Sequence, residues 1–436
     1  MRRLLRYVEY LVAWGGLFFM SRTFTTYLTP EGSESAPMVQ LIGALLGVYA
    51  VLALLLHRQA VARILGLYWP VLVPVGLAVL SLGWSEDPNL SLRRAGSLVL
   101  TTAFAFWLVL RFTPQRFFAM LLTVCIGLVV MNFVVIQTDP LIGIHQVEDL
   151  NDAGHAGSWR GLFGHKNDFG RLMALCVSVL FAGVVLRAGG RLGQAVLLSV
   201  TVLGLFMILK SNSSQAQLMA AVILPTTAVL FAMRRMSAAG RAVLMLLGLP
   251  FAVISALSVQ IIFVSVLGIL GKDATLTGRT TIWEGVLVSM QDMMVFGGGY
   301  GAGWAVVGPG LLALTGSDVG HAHNGYLDLA VDIGFFGLGM VLVLFGWLAV
   351  MAFRNLMNGV RVEISVLGLV IVLFAFVGNW AGSFFLLHNT LYWVLPVVGF
   401  AMLRDAPYGS PAPRPTSDPF GVLKLGRRRA LTTGVT

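Results

Sequence analysis

Residues 117–137 read FFAMLLTVCIGLVVMNFVVIQ, a run of 21 residues without a charged side chain. An α-helix needs about 20 mostly apolar residues to cross the hydrocarbon core of a bilayer. Arg111 and Arg116 precede this run, and Asp139 follows it. A basic end and an acidic end around an apolar segment of this length predict a transmembrane helix whose basic end is cytoplasmic.

The composition of the whole chain agrees with that of this run. Hydrophobic residues make up 57% of the 436 residues and charged residues only 11%, whereas a soluble domain carries about 25% charged residues. Backbone polar groups in hydrocarbon need internal partners, so spanning segments are helices or closed barrels. The apolar runs are continuous and do not alternate as barrel strands do. We therefore predict an all-α polytopic membrane protein.

Further apolar windows outward from 117–137 predict about twelve spans in total. They are residues 8–28, 38–56, 66–83, 95–111, 117–137, 169–187, 195–210, 217–233, 242–269, 326–353, 364–386 and 391–404.

Basic residues fall in every second loop, from the N-terminal MRRLLR to Arg427, Arg428 and Arg429 near the C-terminus. The intervening loops hold most of the acidic residues. By the positive-inside rule, the basic loops and both termini are predicted to be cytoplasmic. The net charge of +10 is explained by topology, and no nucleic-acid partner is expected. Cys125 and Cys176 lie inside apolar runs and indicate neither disulfides nor metal binding.

Two loops on the opposite, outer side are longer than a connection requires, at about residues 138–167 and 271–325. Long loops in compact domains are usually functional or disordered. The second is too apolar to be disordered, so we expect a cap or re-entrant element there. Residues 1–404 are interpreted as the transmembrane domain, and residues 405–436, rich in Pro, Ser and Arg, as a disordered cytoplasmic tail.

Cationic groups and histidines in the predicted outer segments mark candidate functional positions because positive charge is scarce there. Guanidinium groups bind diphosphate through bidentate hydrogen bonds, and histidine accepts protons near neutral pH. The combination suits transfer from a diphosphate leaving group to a hydroxyl. The candidates are Arg93, Arg94, Arg160, His165, Lys166, Asn167, Lys210, Lys272, Arg279, His321 and His323.

Simpler structural roles compete for several of these positions. Arg93 and Arg94 are more simply interface residues that reach toward lipid headgroups, and Lys210 alone is an ordinary residue of this kind. Contact with lipid headgroups is the alternative role for Arg160 as well, although the RGLFGHKN sequence that it begins places glycines among polar residues. His388 either lines the same cavity as these candidate residues or caps the last outer turn.

The HAHN sequence at residues 321–324 is the sharpest local feature. His321 and His323 lie on the same side of an extended segment, which would suit a metal, but no third ligand stands at a conventional spacing. A catalytic or substrate-binding role is favoured, and no metal or cofactor is predicted. The FGGGYGAGW run fits no nucleotide-binding fingerprint and predicts close backbone packing or a flexible turn. His145 and His155 lie in a polar loop and are expected to be solvent-exposed.

Four segments, in this order, resemble segments of the superfamily of O-antigen ligases and Wzy-type polymerases. They are WSEDPNLSLRRAG (84–96), RGLFGHKNDFG (160–170), TGRTTIW (277–283) and HAHNGYLDLAVDIGFFGLG (321–339). The resemblance covers roughly residues 80–400. The GHKN and HAHNGYLD forms are most similar to exopolysaccharide polymerases of the succinoglycan type.

This resemblance implies a GT-C-like glycosyltransferase of the bacterial inner membrane, with the two long loops in the periplasm. The enzyme would transfer a glycan from undecaprenyl diphosphate to a sugar hydroxyl without a metal or nucleotide sugar. His323 matches the presumed general base, and Arg279 matches the arginine that holds the diphosphate. The remaining substrate-binding positions are Arg160, His165, Lys166, Asn167, Lys210, His321 and Asn324. The implied partners are lipid-linked oligosaccharide, membrane lipids, a flippase and chain-length-regulating proteins.

The chain departs from the superfamily pattern in one region. Ligases often carry a Ser-Arg-Gly element there, whereas this chain reads LKSNSSQAQ (209–217), without an arginine. Lys210, or Arg160 with Lys166, would have to supply the missing cation. A surface-glycan ligase therefore remains the alternative within the superfamily. A transporter or flippase is the alternative outside it, although ionisable groups here cluster at span ends and not at the midplane.

Overall fold

The structure is a computed structural model that describes residues 2–29, 36–149, 153–244, 246, 276–316 and 319–404. The described residues form helices and no strand, with one isolated bridge between Ile144 and Trp159. The helices are α1 (Arg2–Phe19), α2 (Thr25–Leu28), α3 (Pro37–Leu55), α4 (Arg58–Leu67), α5 (Trp69–Leu80), α6 (Pro88–Arg111), α7 (Pro114–Thr138), α8 (Pro140–Gly143), α9 (Lys166–Val185), α10 (Arg191–Lys210), α11 (Ser214–Ala232), α12 (Leu276–Ser289), α13 (Gly303–Thr315), α14 (Gly325–Met357), α15 (Val362–Gly378) and α16 (Leu391–Arg404).

Seven described helices are long and apolar enough to cross a membrane: α3, α6, α7, α9, α10, α11 with its following turn, and α14. An eighth span results if α4 and α5, which meet at 84°, count as one. Shorter apolar helices include α13, α15 and α16. The all-helical polytopic fold is thus confirmed, whereas the count of twelve and the GT-C-like architecture stay predictions. The predicted span 242–269 lies largely outside the described residues, and the predicted tail 405–436 lies wholly outside them.

Local sequence sets where the helices begin. The Asp87 carboxylate accepts a hydrogen bond from the Leu90 backbone N–H at 2.9 Å, and Pro88 is the first residue of α6. Thr113 caps α7 in the same way, also before a proline. Such caps satisfy backbone donors that have no partner within the helix.

The predicted outer loops gather at one end of the bundle. Backbone hydrogen bonds connect them, from Trp159 to Lys210 (3.0 Å), from Gly325 to Asn379 (2.8 Å) and from Leu391 to Met20 (2.7 Å). Two basic residues of the other loops also bind neighbouring helices: Arg111, at the end of α6, pairs with Glu9 of α1, and Arg361, just before α15, donates to the Met402 carbonyl near the end of α16. The helices α6, α15 and α16 therefore each have one end beside a predicted outer loop and the other end beside a predicted cytoplasmic loop. The assignment of these ends to the two sides of the membrane stays a prediction.

A break within α14 positions the loop that precedes it. Gly334 has φ 72° and ψ 173°, which interrupts the helix. The carbonyls of Val331 and Asp332 instead accept hydrogen bonds from the backbone N–H groups of Gly298 (2.9 Å) and Gly299 (3.0 Å). The glycine-rich run is therefore joined to the broken helix.

Close backbone packing explains the glycines of this run. A Cβ at Gly303 would lie 2.2 Å from the Val331 carbonyl oxygen, and one at Gly299 would lie 2.4 Å from the Ser85 hydroxyl. Side chains at these positions would push the run away from its neighbours. The packing role that we predict for FGGGYGAGW is confirmed.

Candidate functional site

The HAHN segment has an unusual backbone. His323 has φ 51°, in the left-handed region, so the segment is not extended as expected. The rings of His321 and His323 lie edge to face, with centroids 3.9 Å apart. A left-handed non-glycine residue persists only where its surroundings hold it, and such residues cluster at functional sites.

A buried carboxylate holds this segment in place. Asp328, in the first turn of α14, accepts hydrogen bonds from the Ala322 backbone N–H (2.8 Å), from the Trp304 indole N–H (3.0 Å) and from the Ser383 hydroxyl. On the other side, the Trp283 indole N–H donates to the Ala322 carbonyl at 2.9 Å. The residue between the two histidines is therefore fixed through both of its backbone polar groups.

Arg279 reaches the histidines from α12. It precedes Trp283 by four residues, so the two side chains lie on the same side of the helix. Trp283 contacts Ala322, which brings Arg279 beside the histidines. Arg279 is half-buried, and this burial lowers the pKa of its guanidinium.

The electrostatic environment keeps His323 neutral. Burial, together with the charges of His321, Arg279, His165 and Arg171, lowers the pKa of His323 to about 4. An imidazole with that pKa is unprotonated at neutral pH and has a lone pair available to accept a proton.

His165 comes to His323 from the other long outer loop. Its Nδ1 accepts a hydrogen bond from the Asn167 backbone N–H at 3.1 Å, which orients the ring at the start of α9. The Asn167 side-chain oxygen accepts a hydrogen bond from the Ser213 hydroxyl at 3.0 Å, so this residue connects α9 to the start of α11. His165 and Arg279 therefore act on the same imidazole although they belong to different loops.

His145 corrects an expectation from the sequence. It is only 1% exposed, so the prediction of solvent exposure is wrong for it, whereas His155 is partly exposed. The His145 Nε2 accepts a hydrogen bond from the Lys166 backbone N–H at 3.1 Å, and its Nδ1 lies 3.2 Å from the Asp149 carboxylate. The polar loop folds back on itself, which buries the ring.

Arg160 organises that loop. Its guanidinium donates to the carbonyls of Leu141 (3.1 Å) and Ile142 (2.9 Å) and to the Asp149 carboxylate (2.9 Å). A backbone hydrogen bond from Gln146, and then the charge of Arg160, lower the pKa of Asp149. The fork of Arg160 is thus occupied within the loop, which explains its position without a ligand.

Lys210 lies on the perimeter of the bundle. Its ammonium is 5.7 Å from the centroid of the Phe206 ring, which is itself 44% exposed and packs against Trp159. This is the surface that spanning helices present to lipid. The position agrees with the simpler interpretation of Lys210 as an interfacial lysine.

Asn324 caps α14. Its side-chain oxygen accepts hydrogen bonds from the backbone N–H groups of Tyr326 (3.0 Å) and Leu327 (3.4 Å). The side chain therefore has a structural role next to His323, and its predicted substrate contact stays a prediction.

Two residues near His323 were not identified from the sequence. Arg171 lies in the second turn of α9, and its charge acts on His323. Asp328 anchors the HAHN segment. An arginine inside an apolar span is the signal that would have found Arg171, because ionisable groups in spans usually have a function.

His388 belongs to a different group of residues. Burial, followed by the charges of Arg22 and Arg94, lowers its pKa to about 3. The Arg94 guanidinium donates to the Gly301 carbonyl at 2.7 Å and so connects α6 to the glycine-rich run. The charges that act on His388 differ from those that act on His323.

We predict that Asp328→Ala lowers both thermal stability and activity. The change leaves the Ala322 and Trp304 donors unsatisfied, at about 1–3 kcal/mol for each buried group. Unfolding of the detergent-solubilised protein, followed by intrinsic fluorescence, measures the effect. Asp292→Asn, on the exposed turn after α12, is the control; equal unfolding midpoints for the two variants would contradict the anchoring role.

Comparisons with known proteins show what this chain is similar to. The family model Wzy_C, described as O-antigen ligase, matches residues 177–342, a segment that contains Arg279, His321 and His323. Exopolysaccharide production protein ExoQ of Rhizobium meliloti (strain 1021) is 25% identical over 302 residues, which cover 67% of this chain and 66% of the relative. The resemblance to the superfamily of O-antigen ligases and Wzy-type polymerases is therefore confirmed.

Proposed function

From its resemblance to the O-antigen ligases and Wzy-type polymerases, we propose that this chain polymerises oligosaccharide repeat units carried on undecaprenyl diphosphate. The observation that carries the proposal is a neutral imidazole, that of His323, held beside the Arg279 guanidinium at a bundle end. We place this end in the periplasm and both termini in the cytoplasm of a bacterial inner membrane, because the basic loops lie at the opposite end.

The proposed reaction is a glycosyl transfer. A hydroxyl oxygen of the incoming repeat unit attacks the anomeric carbon of the growing chain while His323 accepts the hydroxyl proton. The bond between the anomeric carbon and the diphosphate oxygen breaks, and its electron pair leaves with undecaprenyl diphosphate. Arg279 stabilises the negative charge that develops on this leaving group, and holding both lipid-linked substrates at one membrane face supplies proximity.

Two other functions are separated from this one by their products. A surface-glycan ligase would use the same donor chemistry with a finished core or protein as acceptor, so it would not lengthen lipid-linked chains. A transporter or flippase would move the lipid-linked unit without making a glycosidic bond. The polymerase is favoured by the likeness to ExoQ, whose name is that of an exopolysaccharide production protein.

The test is a reconstitution in vesicles with a lipid-linked oligosaccharide repeat unit as both donor and acceptor. A ladder of lengthened, lipid-linked products on a gel supports polymerisation. Transfer to an added acceptor without a ladder supports the ligase. Movement of intact substrate across the bilayer without any new bond would replace the proposal with transport.

We predict that the pH profiles of kcat/KM and kcat differ. A general base acts in its neutral form, so activity falls as the pH falls through its pKa. His323 has a pKa of about 4, so its protonation lowers kcat/KM only near that pH. Bound diphosphate offsets the charge of Arg279 and raises the His323 pKa, so the acidic limb of kcat lies at higher pH. Coinciding limbs in initial-rate measurements would argue against this coupling.

A further inference from the structure

The side chain of Arg171 is mostly buried and incompletely bonded. Only 14% of it is exposed. Its Nε is fully buried and has no hydrogen-bond partner among the described residues. Its Nη1 pairs with Asp168 at 3.2 Å, but that carboxylate is 56% exposed and belongs to the same helix. A buried guanidinium with an unused donor costs free energy unless another acceptor is present.

Neighbouring elements hold the guanidinium in one place. Its plane lies over the Phe384 ring, with 5.2 Å from Cζ to the ring centroid. A Cβ built at Gly382 would lie 3.0 Å from the Arg171 Nη2 and 2.6 Å from the Gln215 Nε2. Arg171 is thus set among α9, α11 and the turn after α15, where a glycine leaves the space that the guanidinium needs.

The charge around His323 is unbalanced. Arg171 lies next to Gly382, and a Cβ built at Gly325, two residues after His323, would lie 2.9 Å from the Gly382 carbonyl oxygen. Arg279 is brought to the same segment by Trp283, whose indole N–H donates to the Ala322 carbonyl. The charges of both guanidinium groups act on the His323 imidazole. The nearby carboxylates are committed elsewhere, since Asp328 accepts three hydrogen bonds that hold the HAHN segment and Asp168 is largely exposed. An anion bound between the two guanidinium groups would complete this arrangement.

We propose that Arg171 is the second guanidinium that holds the lipid diphosphate, together with Arg279. This inference rests on the proposed function. A diphosphate has two phosphoryl groups, and each suits one planar guanidinium fork. The sequence points to Lys210 or Arg160 for this second cation, but Lys210 lies on the lipid-facing perimeter and the fork of Arg160 is occupied within its own loop.

The experiment measures binding of undecaprenyl diphosphate and of undecaprenyl phosphate to the purified full chain in detergent, by thermophoresis. We expect Arg171→Gln to weaken diphosphate binding about 10- to 100-fold, because it removes hydrogen bonds between charged groups. Arg171→Lys keeps the charge without the fork and should give a smaller loss. The monophosphate should be less affected by either variant. Arg191→Gln, at the exposed start of α10 and so at the other end of that helix from Lys210, is the matched control and should bind as the wild type does.

The outcomes separate this inference from the function on which it rests. If the wild type shows no preference for the diphosphate lipid, the proposed function fails. If the wild type binds it and Arg171→Gln binds equally well, the inference is overturned and the function stands. Should Arg171→Gln misfold, Arg171→Lys tests the same point, because it keeps the charge and removes the planar fork; diphosphate binding by Arg171→Lys as tight as that of the wild type would then overturn the inference.

Discussion

Replacing His323 by alanine is expected to lower the rate of chain growth by about 10²- to 10⁴-fold, the usual contribution of a positioned general base. The imidazole is neutral because its pKa is about 4, so alanine removes a proton acceptor and no charge. Binding of undecaprenyl diphosphate should therefore change little. Single-turnover rates in vesicles, measured beside diphosphate affinity, separate the loss of chemistry from a loss of binding.

Two other histidines serve as controls for this prediction. His57→Ala changes an exposed ring between α3 and α4, whose Nδ1 lies 2.9 Å from the Ala53 carbonyl oxygen one turn earlier, and should leave the rate unchanged. His321→Ala removes the ring that packs on His323 and should reduce the rate by less than His323→Ala does. A His323→Ala protein that still builds the ladder at the wild-type rate would exclude His323 as the base.

Much of the helical framework follows from hydropathy alone, since length and apolarity determine which segments cross a bilayer. The predicted span 117–137 lies within α7, Pro114–Thr138, and the window 169–187 overlaps α9, Lys166–Val185. However, hydropathy does not predict where a helix bends or breaks. The 84° bend between α4 and α5 and the break at Gly334 both lie inside windows that were predicted as single spans.

The site shows where sequence reasoning reaches its limit. His323 and Arg279 could be identified because positive or titratable groups are scarce in the outer loops. Arg171 was missed because it falls within an apolar window, and only the packing of α9 against α11 and the turn after α15 brings it to His323. The burial of His145 was mispredicted because it depends on how Arg160 folds the loop.

The break at Gly334 determines how α14 binds the segment that leads to Arg279. The Phe335 backbone N–H donates to the Met294 carbonyl at 2.8 Å, and the Phe336 N–H donates to the Val295 carbonyl at 3.2 Å. The broken helix thus binds the segment that links α12, with Arg279, to the glycine-rich run. A Cβ at Gly334 would lie 1.9 Å from the Val295 carbonyl oxygen, a distance that no side-chain adjustment relieves.

Gly334→Ala is therefore expected to destabilise the protein by about 3 kcal/mol or more, from backbone strain at positive φ together with overpacking. It should abolish chain growth, because the turn that links α12 to the glycine-rich run must move away from α14 and carry Arg279 away from His323. Gly339→Ala, five residues along the same helix, is the matched control. A Cβ there meets nothing within 4 Å, so alanine should be neutral or should stabilise the helix by about 1 kcal/mol. Thermal unfolding and vesicle assays on both variants measure the difference; if Gly334→Ala matches Gly339→Ala in both, the break in α14 does not position the site.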